Sequence, residues 1–221
     1  MARQERAIRT RRTILEAAAA VFDERGYTSA TIGEILERAG VTKGALYFHF
    51  ASKEELALGV FEEQLAISLP SQSSKLQELV DSGLVLALRL RTEPLVRASV
   101  GLALDQGALG LDRTPAFGMW IDQTTRTLTE AKAGGELLPH VDATETAELL
   151  VASFSGVQLL SQVRCQRQDL EHRVVVLFHH LLPGVAVPAV LARLEITQDR
   201  AGRLLAEGRS LPLEGQVAEA G

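Results

Sequence analysis

The 221-residue chain is poor in the residues that build cross-linked or metal-bound scaffolds, and Cys165 is its only cysteine. A single thiol excludes an intramolecular disulfide framework and any cysteine-rich zinc module. No stretch reaches the roughly 18 uninterrupted apolar residues that a membrane span needs. The first residues carry no apolar signal core, so a cytoplasmic location with no membrane partner is expected. Histidines are few and scattered, at His49, His140, His172, His179 and His180. A His-Glu-x-x-His pair, a Gly-x-Ser-x-Gly elbow, a P-loop and a dinucleotide fingerprint are all missing. Neighbouring helical residues point about 100° apart, so His179 and His180 do not converge on one metal. The expectation is a protein with no catalytic residues, no metal and no cofactor.

Positive charge is also scarce overall, with a formal net charge of -5, but it is unevenly placed. Residues 1–12 hold Arg3, Arg6, Arg9, Arg11 and Arg12 against Glu5 alone. Residues 1–60 carry nine Lys/Arg and eight Asp/Glu, net +1, and the remainder carries 14 and 20, net -6. A basic arm before an acidic body points to an anionic partner at the N-terminus; a solvated first helical turn has the same composition. With 46% hydrophobic and 23% charged residues, the rest of the chain can bury a real core.

Helical periodicity dominates, and the expected class is all-α. Ile14, Ala18, Val21, Phe22 and Arg25 fall at helical spacing, and Gly26 ends that helix. Thr31-Ile32-Gly33-Glu34 is a capping box opening a short helix with Ile32, Ile35, Leu36 and Ala39 inward, stopped by Gly40. Thr42 caps a third helix from Lys43 to about Phe50, with Leu46 and Phe50 inward. A second box, Ser52-Lys53-Glu54-Glu55, starts a fourth helix carrying Leu56, Val60 and Phe61. After Pro70 and Ser71-Gln72-Ser73-Ser74, breakers predict helices over 75–91, 94–106, 115–133, 142–164, 168–182 and 188–207. The expected division is a helix-turn-helix DNA-binding domain over 1–68, a larger helical ligand-binding and dimerisation domain over 75–207, and a disordered tail over 208–221.

Two short helices across a glycine turn, with a third in front, make the helix-turn-helix arrangement. The outer face of the 43–50 helix offers Thr42, Lys43, Gly44, Ala45, Tyr47 and His49, small or polar groups near the end that reads base edges in the major groove. Gly44 and Ala45 allow close backbone approach, and Lys43 can reach guanine O6 or N7. Thr31 and Thr42 lie at helix N-termini, which favour phosphate. Tyr47 and Lys53 are candidate backbone clamps, and Arg9 belongs to the basic arm. Tyr47, Phe48 and Phe50 are also compatible with core positions, Phe50 most of all.

The run GVTKGALYFHFASKEELA resembles the helix-turn-helix and following helix of the TetR family of repressors, and the likeness covers residues 8–68. The opening MARQERAIRTRRTILEAAAAVFDERGY and the ALYFHFASKEELALGVFEEQ stretch are similar to the γ-butyrolactone and butenolide autoregulator receptors of streptomycetes. GLDR at 110–113, GELLPHV at 135–141, QDLEHR at 168–173 and VPAVLA at 187–192 extend that similarity over nearly the full chain. The resemblance implies a homodimeric repressor of antibiotic genes that binds a pseudo-palindromic operator in double-stranded DNA and leaves it when a small hormone-like ligand binds; the few basic residues on the apolar helix faces favour an uncharged amphiphile. It also implies that Thr42, Lys43, Gly44, Tyr47, His49 and Lys53 contact DNA and that Trp120 covers the ligand.

Trp120 is the only tryptophan, with Phe117 and Thr124 on its helix face; without the resemblance it reads more readily as plain core than as a ligand wall. Polar residues interrupt apolar surroundings at Gln64, Ser153 and Gln158. A lactone carbonyl could accept from Gln64 or Ser153 while an alkyl chain lies against Phe61, Leu86, Phe154 and Val157; the same polar residues could simply face solvent. Leu149, Leu150, Phe154 and Val157 on one helix, with Val174, Val175, Leu177, Phe178 and Leu181 on the next, offer a four-helix dimer interface or ordinary core. The alternative function is a TetR-type regulator answering to an antibiotic or another metabolite.

Overall fold

The computed structural model describes residues 2–63, 69–104 and 114–210, with side chains over 4–61, 69–104 and 114–207. Gln64, the GLDR stretch and the 211–221 part of the tail lie outside the described residues. Among the described residues eleven α-helices follow one another: α1 Ala2–Ser29, α2 Ile32–Ala39, α3 Lys43–His49, α4 Lys53–Glu63, α5 Lys75–Thr92, α6 Pro94–Leu104, α7 Thr114–Ala133, α8 Ala143–Cys165, α9 Leu170–Leu181, α10 Pro188–Leu191 and α11 Arg200–Ser210. Among the described residues the β pairing is limited to one bridge, Leu137 with Ala186. No helix there is long and apolar enough to cross a membrane.

The chain forms two compact units, one drawn from 1–67 and 92–119, the other from 68–91 and 120–221. In the first, α1 is interrupted at Gly26, whose φ of 73° and ψ of 158° suit a residue without a Cβ. The turn into α2 is closed by both halves of the capping box: the Glu34 amide donates to the Thr31 hydroxyl at 3.3 Å, and the Thr31 amide donates to Glu34 Oε2 at 3.0 Å. Gly40, at φ 63°, ends α2 in the left-handed region. Ser52 caps α4 through the Glu55 amide at 3.1 Å, and Glu55 reaches back to the Ala51 amide at 2.6 Å. Ile14, Leu15, Phe22, Ile35, Leu46, Phe50, Leu56, Val60 and Phe61 fill the core of this unit. Burial of each large side chain is worth about 1.5–3 kcal/mol. α6 packs on α1 and α4, so this unit extends past the expected boundary at residue 68.

The second unit is held by polar clasps between distant residues. Glu136 caps α5, its carboxylate accepting from the Lys75 and Leu76 amides at 2.8 Å and from the Ser74 hydroxyl at 2.7 Å, where a helix N-terminus leaves donors unpaired. Gly83 of α5 lies against Phe178 of α9: a Cβ there would come within 2.7 Å of the ring. The expected single helix over 188–207 is two helices, α10 and α11, with the chain leaving helical geometry between them. The cause is tertiary. The Gln77 amide accepts from the Glu195 N–H at 2.8 Å and donates to the Glu195 carbonyl at 3.2 Å, taking backbone groups that a continuous helix would use internally. Arg200, at the start of α11, then pairs with buried Asp81 through Nε at 2.5 Å and Nη2 at 2.8 Å.

Candidate nucleic-acid interface and ligand-domain residues

Thr42 caps α3 by accepting from the Ala45 amide at 3.2 Å. This fixes which residues turn outward. Leu46 is fully buried and Phe50 is 2% exposed, whereas Tyr47 is 44% and Phe48 80% exposed. Thr42, Lys43 and Gly44 are exposed, and Ala45 and His49 are half-buried. The Lys43 ammonium lies 5.8 Å from the Tyr47 ring centroid, so the two form one cationic and aromatic column on the outer face. Gly44 opens that face further, since a Cβ added there would meet nothing within 4 Å.

α1 brings its basic end to the same region. The Arg11 guanidinium stands 5.2 Å over the ring of Phe50, the residue that ends α3. Arg12 pairs with Glu16 at 3.0 Å, while Arg6 and Arg9 are exposed. Thr31 is exposed, but its hydroxyl is engaged in the capping box, donating to Glu34 at 2.9 Å. That bond and the Thr31 amide hold the Glu34 carboxyl below its usual range. Lys53 has internal partners as well: its ammonium lies 4.5 Å over Tyr27 and donates to the Thr28 carbonyl at 3.4 Å. Burial lowers its pKa and lifts the Tyr27 hydroxyl to about 12.

Of the residues expected around a ligand, Phe61 lies in the core of the first unit. Leu86 on α5, Trp120 on α7, and Ser153, Phe154 and Val157 on α8 are half-buried residues of the second. Gln158 is buried and its carbonyl accepts from Arg167 Nε and Nη2, both at 3.2 Å. That oxygen therefore braces the α8–α9 turn, where Gln166 and Arg167 adopt φ of 52° and 65°. Of the residues offered for a dimer interface or for ordinary core, Leu150, Val174 and Phe178 are core. The large exposed apolar residues of α8 are Leu149, Leu159, Leu160 and Val163, with Val176 on α9.

The model of the bacterial regulatory proteins of the tetR family matches residues 14–60. The A-factor receptor protein of Streptomyces griseus is 44% identical over 196 residues, covering 88% of this chain and 70% of that relative. The chain belongs to the TetR family. Full-length native TylP, a TetR regulator from Streptomyces fradiae, matches with a TM-score of 0.89 at 48% identity, over 95% of this chain and 94% of that one. A γ-butyrolactone receptor described as ArpA-like matches with a TM-score of 0.61 at 33% identity, over 91% and 98% of the two chains.

In this TetR-family chain, sequence reasoning grouped Phe48 with the core candidates and left it out of the outer face. The available signal was angular: Phe48 follows Gly44 by four residues, one helical turn, and Gly44 was already placed outward.

Proposed function

We propose that this protein is a cytoplasmic, dimeric repressor that grips a pseudo-palindromic operator through α3 and releases it when a γ-butyrolactone or butenolide enters the second unit. The carrying observation is the likeness to the A-factor receptor protein, which runs through both units at 44% identity. The name of the ArpA-like neighbour supports the same ligand class.

Lys43, Gly44, Ala45 and Tyr47 are the proposed base-edge and groove contacts. Thr31, Thr42, His49 and Arg9 approach phosphates, and Lys53 contacts the DNA backbone from the start of α4, beside Tyr27 and Thr28 of α1. Leu86, Trp120, Ser153, Phe154 and Val157, all of the second unit, are proposed for the ligand, with Gln158 contributing through its turn. The exposed Leu149, Leu159, Leu160 and Val163 lie along α8 with Val176 on α9, and two copies joining through these helices would form a four-helix interface.

A two-fold dimer presents its reading helices about 34–36 Å apart, one DNA turn. A ligand that prefers a different spacing must weaken DNA binding by the factor by which DNA weakens ligand binding. The reading is tested by titrating the protein–duplex complex with γ-butyrolactones, butenolides and antibiotics. Release by a lactone or butenolide is the expected result. Release by an antibiotic alone supports the metabolite-responsive alternative, and a complex indifferent to all three overturns the reading.

A further inference from the structure

Phe48 leaves 80% of its surface in water on a seven-residue helix. Its neighbour His49 meets it only edge-on, with ring centroids 5.0 Å apart and planes at 83°. Helical side chains lean toward the N-terminus, which directs Phe48 over the turn that holds Gly44, where no side chain beyond the adjacent residues comes within 4 Å of a Cβ position. The outer face of α3 thus has two columns. Lys43 and Tyr47 form a cationic and aromatic one; Gly44 and Phe48 form an apolar one with an open recess at its foot.

Resting on α3 as the DNA-reading helix, we infer that Phe48 reads a thymine in each half-site through its C5-methyl group, with the recess above Gly44 admitting that methyl. In the major groove, guanine, cytosine and adenine present hydrogen-bond donors and acceptors, and thymine alone adds an apolar group. A phenyl ring has no donor for a phosphate and no acceptor for an amino group. Its chemistry selects the methyl. Lys43, on the adjacent column, has the complementary taste for guanine O6 and N7. The two columns together therefore favour a half-site in which a guanine and a thymine stand close along the groove.

The test uses the full-length protein and a duplex that it selects from a randomised pool. Each thymine of one half-site is replaced singly by deoxyuridine, which removes only the methyl. One position should lose about fourfold in affinity, the factor for burying one methyl-sized group, and Phe48→Ala should abolish that sensitivity. The variant, which lacks the contact in both half-sites, should bind the thymine duplex about fifteenfold more weakly, with an unchanged melting temperature because the ring is exposed. Equal deoxyuridine sensitivity in wild type and variant, or none in either, overturns the inference. So does a uniform loss without methyl coupling, which is what a sugar contact produces. Selection of no duplex at all instead overturns α3 as a DNA reader, and this inference falls with it.

Discussion

Gly44→Ala separates what α3 needs for folding from what it needs for binding. The position is exposed, and an added Cβ meets nothing within 4 Å. Glycine in a helix is less favourable than alanine by about 0.5–1 kcal/mol, so the substitution should stabilise the protein by that amount. For a chain of this length the melting temperature should rise by roughly 1–4 °C. Affinity should move the other way. A methyl group wedged between the α3 backbone and base edges costs about 1–3 kcal/mol, the range for overpacking a fitted surface, or roughly 5- to 150-fold for each subunit. Thermal melts and fluorescence anisotropy on a selected duplex read the two effects separately. A stabilised variant with unchanged affinity would refute close approach of the backbone at this position, and a destabilised one would refute the open space. Gly59→Ala is the counterpart: its Cβ would come within 2.9 Å of Phe50 and 3.0 Å of Leu15, both buried. Overpacking there should outweigh the helix gain and leave the protein about 1 kcal/mol less stable.

Lys43→Ala should lose about 1–3 kcal/mol of duplex affinity and relax specificity at one base pair, read by binding to single-position variants of the selected site. Trp120→Ala should bind DNA normally but release it poorly when γ-butyrolactone is titrated; full release by this variant would remove Trp120 from the ligand's surroundings. Asp81→Ala withdraws the 1%-exposed carboxylate that receives Arg200 and Gln77, and breaking such a buried pair should destabilise the protein by about 3 kcal/mol in denaturant titrations. Glu34 has a folded pKa below its ordinary value because of the Thr31 hydroxyl and amide. Its contribution is therefore fully present above the unfolded value near about 4.3 and lost as pH falls through the lower folded one. Glu34→Gln should flatten the acid limb of stability below about pH 4.3, measured by thermal melts; a limb identical to wild type would show that the capping carboxylate does not couple to folding.

The sequence by itself determined the local architecture of the reading head. Thr31 with Glu34, Thr42 with the Ala45 amide, and Ser52 with Glu55 all act within three residues, so the starts of α2, α3 and α4 are written in adjacent positions. The outward face of Lys43, Gly44 and Tyr47 follows from the same short period. Tertiary structure decided the rest. The split between α10 and α11 comes from Gln77, 118 positions before Glu195, and the cap of α5 comes from Glu136, about sixty positions after it. Gln158 was legible as a polar residue in an apolar stretch, but its partner Arg167 required the two left-handed residues of the turn. Phe48 and Phe50 are the same residue type two positions apart, and one is core while the other is exposed. Caps and faces arise from bonds and angles along one helix, whereas burial and polar partners are set by whichever distant segment packs alongside.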